Sequence, residues 1–187
     1  MRTVVLFGDS NTWGFVPGSN GERFAERWPV QLQALLGDRW NVVAEGLNGR
    51  TATIERPDSE GRNGLPYLLP CLHTHVPDVL VIFLGTNDAY LLEEDVVARC
   101  VGRLVREARM AAVPDVFPEP RILVVCPPPF DDFRLGPPFA EVCSMLGCEL
   151  LDLDGIAQYA CVGDDTCHLD ADGHGAVARA VAERLLA

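Results

Sequence analysis

The chain predicts an α/β fold, a five-stranded parallel sheet held between two layers of helices. Two observations carry this. Short apolar runs recur along the sequence, and segments with helical periodicity separate them. The alternation implies βαβ units with right-handed crossovers, hence a parallel sheet covered on both faces.

The elements follow in order. Thr3-Val4-Val5-Leu6-Phe7 is a short buried strand, 3–7. A helical pattern fills 27–36, and Gly37 ends it through the left-handed backbone glycine tolerates. Strands follow at 40–44 and at 78–84, the second carrying Val79-Leu80-Val81-Ile82-Phe83-Leu84. A long helix is expected over 92–112, a strand at 121–126, a helix at 138–146 and a strand at 148–152. The last helix covers 173–186, with Asp172 as its expected cap. Segments 15–26, 52–70 and 127–138 are rich in Gly, Pro and charge and read as loops. Five strands favour a flavodoxin-like three-layer α/β/α sandwich, with all 187 residues forming one domain.

Composition narrows the function. Nearly half the residues are apolar, which argues against disorder. No apolar run approaches the ~20 residues of a membrane span. Val4 to Phe7 is too short for the core of a signal peptide, so the expected location is cytoplasmic. A net charge of −12 argues against nucleic acid and anionic membranes as partners. The seven cysteines include no Cys-x-x-Cys pair and show no zinc spacing with histidine. They read as small buried hydrophobes, a Cys161–Cys167 redox pair being the alternative. No metal or organic cofactor is expected.

Four segments carry chemistry. Gly8-Asp9-Ser10 breaks the first strand, placing Ser10 where open α/β sheets bind ligands. A hydroxyl there is a nucleophile if a base reaches it. Asp165-Thr166-Cys167-His168 puts a carboxylate three residues before an imidazole, spaced to hold one ring nitrogen and leave the other to take a proton. Asp9 reads as a support for the turn. Asn87, in Gly85-Thr86-Asn87-Asp88 after the third strand, can aim its amide at a developing oxyanion. The glycines of Gly46-Leu47-Asn48-Gly49-Arg50-Thr51 would let a backbone N–H approach the same point.

With these four blocks in order, the chain resembles the SGNH hydrolases, also called GDSL-type esterases. The resemblance runs from residue 7 to residue 168. Trp13-Gly14, Arg27-Trp28, Gly46-Leu47-x-x-Arg50-Thr51, Asn63-Gly64, Tyr67-Leu68-x-Pro70-Cys71-Leu72 and Pro127-Pro128-Pro129 make it most similar to the small bacterial arylesterase and acyltransferase branch. It implies Ser10, Asp165 and His168 as catalytic residues. It also implies an oxyanion hole from the N–H groups of Ser10 and Gly49 with the Asn87 amide. The expected activity is hydrolysis of small acyl esters through an acyl-enzyme, with acyl transfer to alcohols or peroxide allowed. The rival readings are a carbohydrate O-deacetylase and a non-catalytic flavodoxin-like binding module. Neither Gly-x-Ser-x-Gly nor Gly-x-Gly-x-x-Gly occurs, which argues against α/β-hydrolase and Rossmann readings.

Trp13, Phe130 and Phe133 are candidates to line the substrate pocket. His73, His75 and His174 read as surface, helix-end or packing residues. Exposed loops with Trp and Phe suit a homo-oligomer interface.

Overall fold

The computed structural model describes residues 1–187. Five strands form one parallel sheet: β1 (Arg2–Gly8), β2 (Trp40–Gly46), β3 (Val79–Phe83), β4 (Arg121–Cys126) and β5 (Glu149–Asp152). Their order across the sheet is β2-β1-β3-β4-β5. β3 is buried along its whole length, as a central parallel strand covered on both faces must be. Chain direction across the sheet reverses between β1 and β3, so a crevice opens beyond their C-terminal ends. The register aligns those ends, pairing Gly8 with Gly46 on one side and with Phe83 on the other.

Seven helices complete the chain: α1 (Ser10–Trp13), α2 (Trp28–Leu36), α3 (Leu65–His75), α4 (Thr86–Ala89), α5 (Glu94–Met110), α6 (Gly136–Leu146) and α7 (Ala171–Leu186). α2 packs on α7, while α5 packs on both α3 and α6, giving one helical layer on each face of the sheet. In α5 the buried residues Val97, Val101, Leu104, Val105 and Ala108 repeat at three- and four-residue intervals. That stripe seats the helix on the sheet. Trp28 fixes the opposite layer, its ring edge-on to Phe83 at 6.2 Å.

Two expectations are corrected. The segment 52–70 is only partly a loop, because α3 begins at Leu65 and runs through Pro70. Pro66 falls at the start of the helix, where its missing N–H costs nothing. Pro70 lies in the helix interior, where proline ordinarily argues against a helix. The cap of α7 is Asp170, not Asp172; its side chain accepts the Gly173 N–H at 2.7 Å. The single-turn helices α1 and α4 are too short to leave a periodic signature. Gly37 does end α2, with φ of 68°.

Gly46 is where β2 and α1 meet most closely. A Cβ there would lie 2.3 Å from the Trp13 nitrogen and 2.7 Å from the Thr12 carbonyl carbon. Both are backbone atoms and cannot swing aside. Gly46→Ala is therefore expected to destabilise the fold by ~1–3 kcal/mol, as overpacking does. Chemical denaturation measures this, and an unchanged midpoint would contradict the close approach.

Candidate active site

The site begins where β1 turns. A Cβ on Gly8 would sit 2.0 Å from Thr12 Oγ1, so the chain can fold back this sharply only at glycine. Asp9 caps α1 by accepting the Asn11 N–H at 2.9 Å. Ser10 is the first residue of that helix, so its N–H has no intrahelical acceptor. Gly14, with φ of 97°, closes the turn by donating to the Ser10 carbonyl at 2.8 Å.

The irregular segment between β5 and α7 supplies the imidazole. His168 Nε2 lies 2.9 Å from Ser10 Oγ. Its Nδ1 lies 2.8 and 2.9 Å from the two Asp165 carboxylate oxygens. Carboxylate oxygens accept, so Nδ1 carries the proton and Nε2 is left to accept from the serine hydroxyl. Burial works against ionisation of Asp165. The Gly18 N–H at 3.1 Å and His168 outweigh it and hold the carboxyl below its ordinary pKa. The Phe15 ring covers the imidazole at 4.5 Å between centroids.

Asn87 enters from the other side of the crevice, in the first turn of α4. Gly85 before it has φ of 128°, a backbone state side chains rarely adopt. Asn87 Nδ2 donates to the Arg50 carbonyl at 3.1 Å and lies 3.5 Å from Asp9 Oδ2. Its Oδ1 accepts from Arg56 at 3.2 Å. Gly49 precedes Arg50 in a turn with φ of 74°, and its N–H bonds to no other backbone group. Gly46, the competing donor, instead ends β2 against α1. Arg50 itself is buried and joins two strand ends, donating to the Gly8 carbonyl at 3.0 Å and to the Glu45 carbonyl.

The pocket residues fare differently. Trp13 is braced by Phe15 and by the Arg23 guanidinium 4.8 Å from its ring, so Phe15 rather than Trp13 meets the imidazole. Phe130 is 5 % exposed and packs on Tyr159, Phe133 and Tyr90, which makes it a packing residue more than a wall. Phe133, with Tyr90 and Asp132, lines an open cleft of about 640 Å³. Tyr90 escaped the sequence reading; its hydroxyl donates to Asp131 at 3.2 Å. A cleft of about 690 Å³ between Asp154 and Arg179 contains none of the candidate site residues.

His73 and His75 occupy the last turn of α3, where His75 Nε2 meets Glu45 at 2.8 Å. His174 is fully buried and accepts the Trp28 N–H at 3.3 Å. Two groups bring metal-type donors within 4.8 Å of one another, Glu45/Cys71/His75 and Asp165/Cys167/His168. In each, the carboxylate is already bonded to the imidazole. All seven cysteines are free, Cys161 being exposed and Cys167 half-buried. No helix is long and apolar enough to cross a membrane.

A strand-end serine with an imidazole and a carboxylate in line is an arrangement that can activate a hydroxyl as a nucleophile. The sequence profile of the GDSL-like lipase/acylhydrolase family matches residues 6–176, and the chain belongs to that family. Among solved structures it is similar to the M. smegmatis aryl esterase, with 30% identity and a TM-score of 0.91 over 100% of this chain and 99% of that one. A carbohydrate acetylesterase from Sinorhizobium meliloti matches at 28% identity and a TM-score of 0.91, again over 100% and 99%. The lipase/acylhydrolase from Enterococcus faecalis shares the fold at 20% identity, a TM-score of 0.69 and coverage of 99% and 95%. No curated protein matches the chain.

Burial pushes the Asp9 pKa up to about 7, with the nearby Asp88 charge adding to the shift. A carboxyl raised this way favours the fold fully below its unfolded pKa of about 3.8 and loses that contribution as pH rises toward 7. Asp9→Asn keeps the acceptor that caps α1 and removes the titration. The variant's melting temperature relative to the parent should therefore climb between pH 4 and pH 7, by on the order of 5 °C. A gap that stays constant across that range would contradict a neutral, buried Asp9.

Proposed function

We propose that this protein is a serine esterase that cleaves small acyl esters, acetates above all, through an acyl-enzyme on Ser10. The observation that carries the reading is the unbroken chain from Ser10 Oγ through the His168 ring to Asp165, with contacts of 2.9 and 2.8 Å. His168 Nε2 takes the hydroxyl proton as Ser10 Oγ attacks the ester carbonyl. Asp165 stabilises the imidazolium that forms. Negative charge gathers on the carbonyl oxygen, where the N–H groups of Ser10 and Gly49 and the Asn87 amide receive it. His168 then returns its proton to the departing alcohol. Water attacks the acyl carbon as His168 takes its proton, and His168 returns that proton to Ser10 Oγ as the acid leaves. An alcohol or hydrogen peroxide entering in place of water yields a new ester or a peracid by the same steps.

A second reading, carbohydrate O-deacetylation, uses identical chemistry. Two observations favour it. One similar structure is a carbohydrate acetylesterase. In addition, a cleft of about 290 Å³, with the polar side chains of Glu45, Asn63 and Tyr67 in its lining, borders the Gly46–Arg50 turn. Comparing acetylated sugars with aryl acetates separates the two readings.

Ser10→Ala should abolish hydrolysis of an activated acetate ester in a protein that remains folded. Near-normal turnover would remove Ser10 as nucleophile, whereas a parent protein with no esterase activity would leave a binding module. Asn87→Ala should cost on the order of 10²–10³ in kcat, as for other single oxyanion donors. A loss under about threefold would return Asn87 to a structural role.

A further inference from the structure

Asn11 sits one residue after the nucleophile, is 2 % exposed, and is absent from the chemistry above. Its side chain has one donor group and one acceptor, and both are committed to the segment that carries His168. Nδ2 donates to the Cys167 carbonyl at 3.0 Å. Oδ1 accepts the Leu169 N–H at 2.9 Å. The two contacts bracket the imidazole residue from either side, across 156 and 158 positions of sequence. The bracketed segment has no helix or strand of its own between β5 and α7. Its nearest internal support is the Ala160 N–H donating to the His168 carbonyl at 2.8 Å.

We propose that Asn11 is a positioning residue for the base: its amide clamps the backbone on both sides of His168 and so sets the height of the imidazole above Ser10. The proposal rests on the serine-esterase reading and extends it. Asn11 and Ser10 share the single turn α1, so nucleophile and base are referred to one rigid piece of backbone. The planar amide suits the task because it donates and accepts at once. An ionised carboxylate at this position could accept from Leu169 but could not donate to Cys167. A leucine of similar size could do neither.

The test is active-site titration of the full chain with a fluorophosphonate, followed by kcat and KM per titrated site. Asn11→Leu is expected to lower kcat per labelled site by about 10- to 100-fold with little change in KM, the scale of a displaced catalytic group. Labelling should slow by a similar factor, and Asn11→Asp should fall between Asn11→Leu and the parent. A purely structural role predicts fewer labelled sites, each with parental kcat. That result, or a loss per site under about threefold in Asn11→Leu (in Asn11→Asp where Asn11→Leu does not fold), overturns the proposal. Asn11→Asp keeps the comparison open if Asn11→Leu does not fold. Failure of the parent to label at Ser10, or labelling that survives Ser10→Ala, would defeat the esterase reading itself, whatever the Asn11 variants do.

Discussion

The arrangement depends on one constraint: an irregular segment near the carboxyl end must hold an imidazole within hydrogen-bonding distance of a hydroxyl near the amino end. Ordering such a segment is costly in conformational entropy, and the cost must be met by specific contacts. The contacts come from the nucleophile's own neighbourhood. Asn11 brackets His168, the Gly18 N–H holds Asp165, and the Phe15 ring covers the imidazole. The alignment of Ser10, His168 and Asp165 and the docking of residues 153–170 are therefore one structural fact.

The other half of the site depends on strand ends and on a buried cation. Gly8 and Gly46 end neighbouring strands in register, and each sits where a Cβ would collide with α1. Arg50 spans those ends with its guanidinium over the Phe7 ring at 4.3 Å, while its carbonyl holds Asn87. A buried charge needs partners to be tolerated, and Arg50 finds two carbonyls for one guanidinium nitrogen while its Nε bonds to nothing. Here the engagement ties β1, β2 and the Asn87 amide together. Asp88, beside Asn87, accepts the Ala52 N–H through both carboxylate oxygens and links α4 to the same turn region. Burial pushes its pKa up to about 6.

Most of the frame was legible because its signals are local. Five short apolar runs gave five strands, with ends shifted by two residues or fewer, and the strand order matched the flavodoxin-like expectation. α3 was not legible because Pro70 argues locally against a helix that tertiary packing nevertheless completes. The cap of α7 moved from Asp172 to Asp170 because two aspartates two residues apart carry the same local signal. In the site, Ser10, Asp165 and His168 could be read from position and spacing. Their alignment could not, because it depends on contacts such as that of Asn11, whose partners lie at the far end of the chain. The pocket was the least legible part. Trp13 and Phe130 are aromatic residues near the motifs, yet neighbouring side chains occupy their faces. Tyr90, outside every motif, stands at the open cleft.

The central claim is that the hydroxyl at the start of α1 becomes acylated. Rapid acid quench during turnover of an activated acetate ester, followed by peptide mass spectrometry, measures this directly. The account predicts one acetyl group on Ser10, accumulating in a burst and discharged faster when an alcohol is added. Turnover with no acyl group on Ser10, or with the group on another side chain, would contradict it.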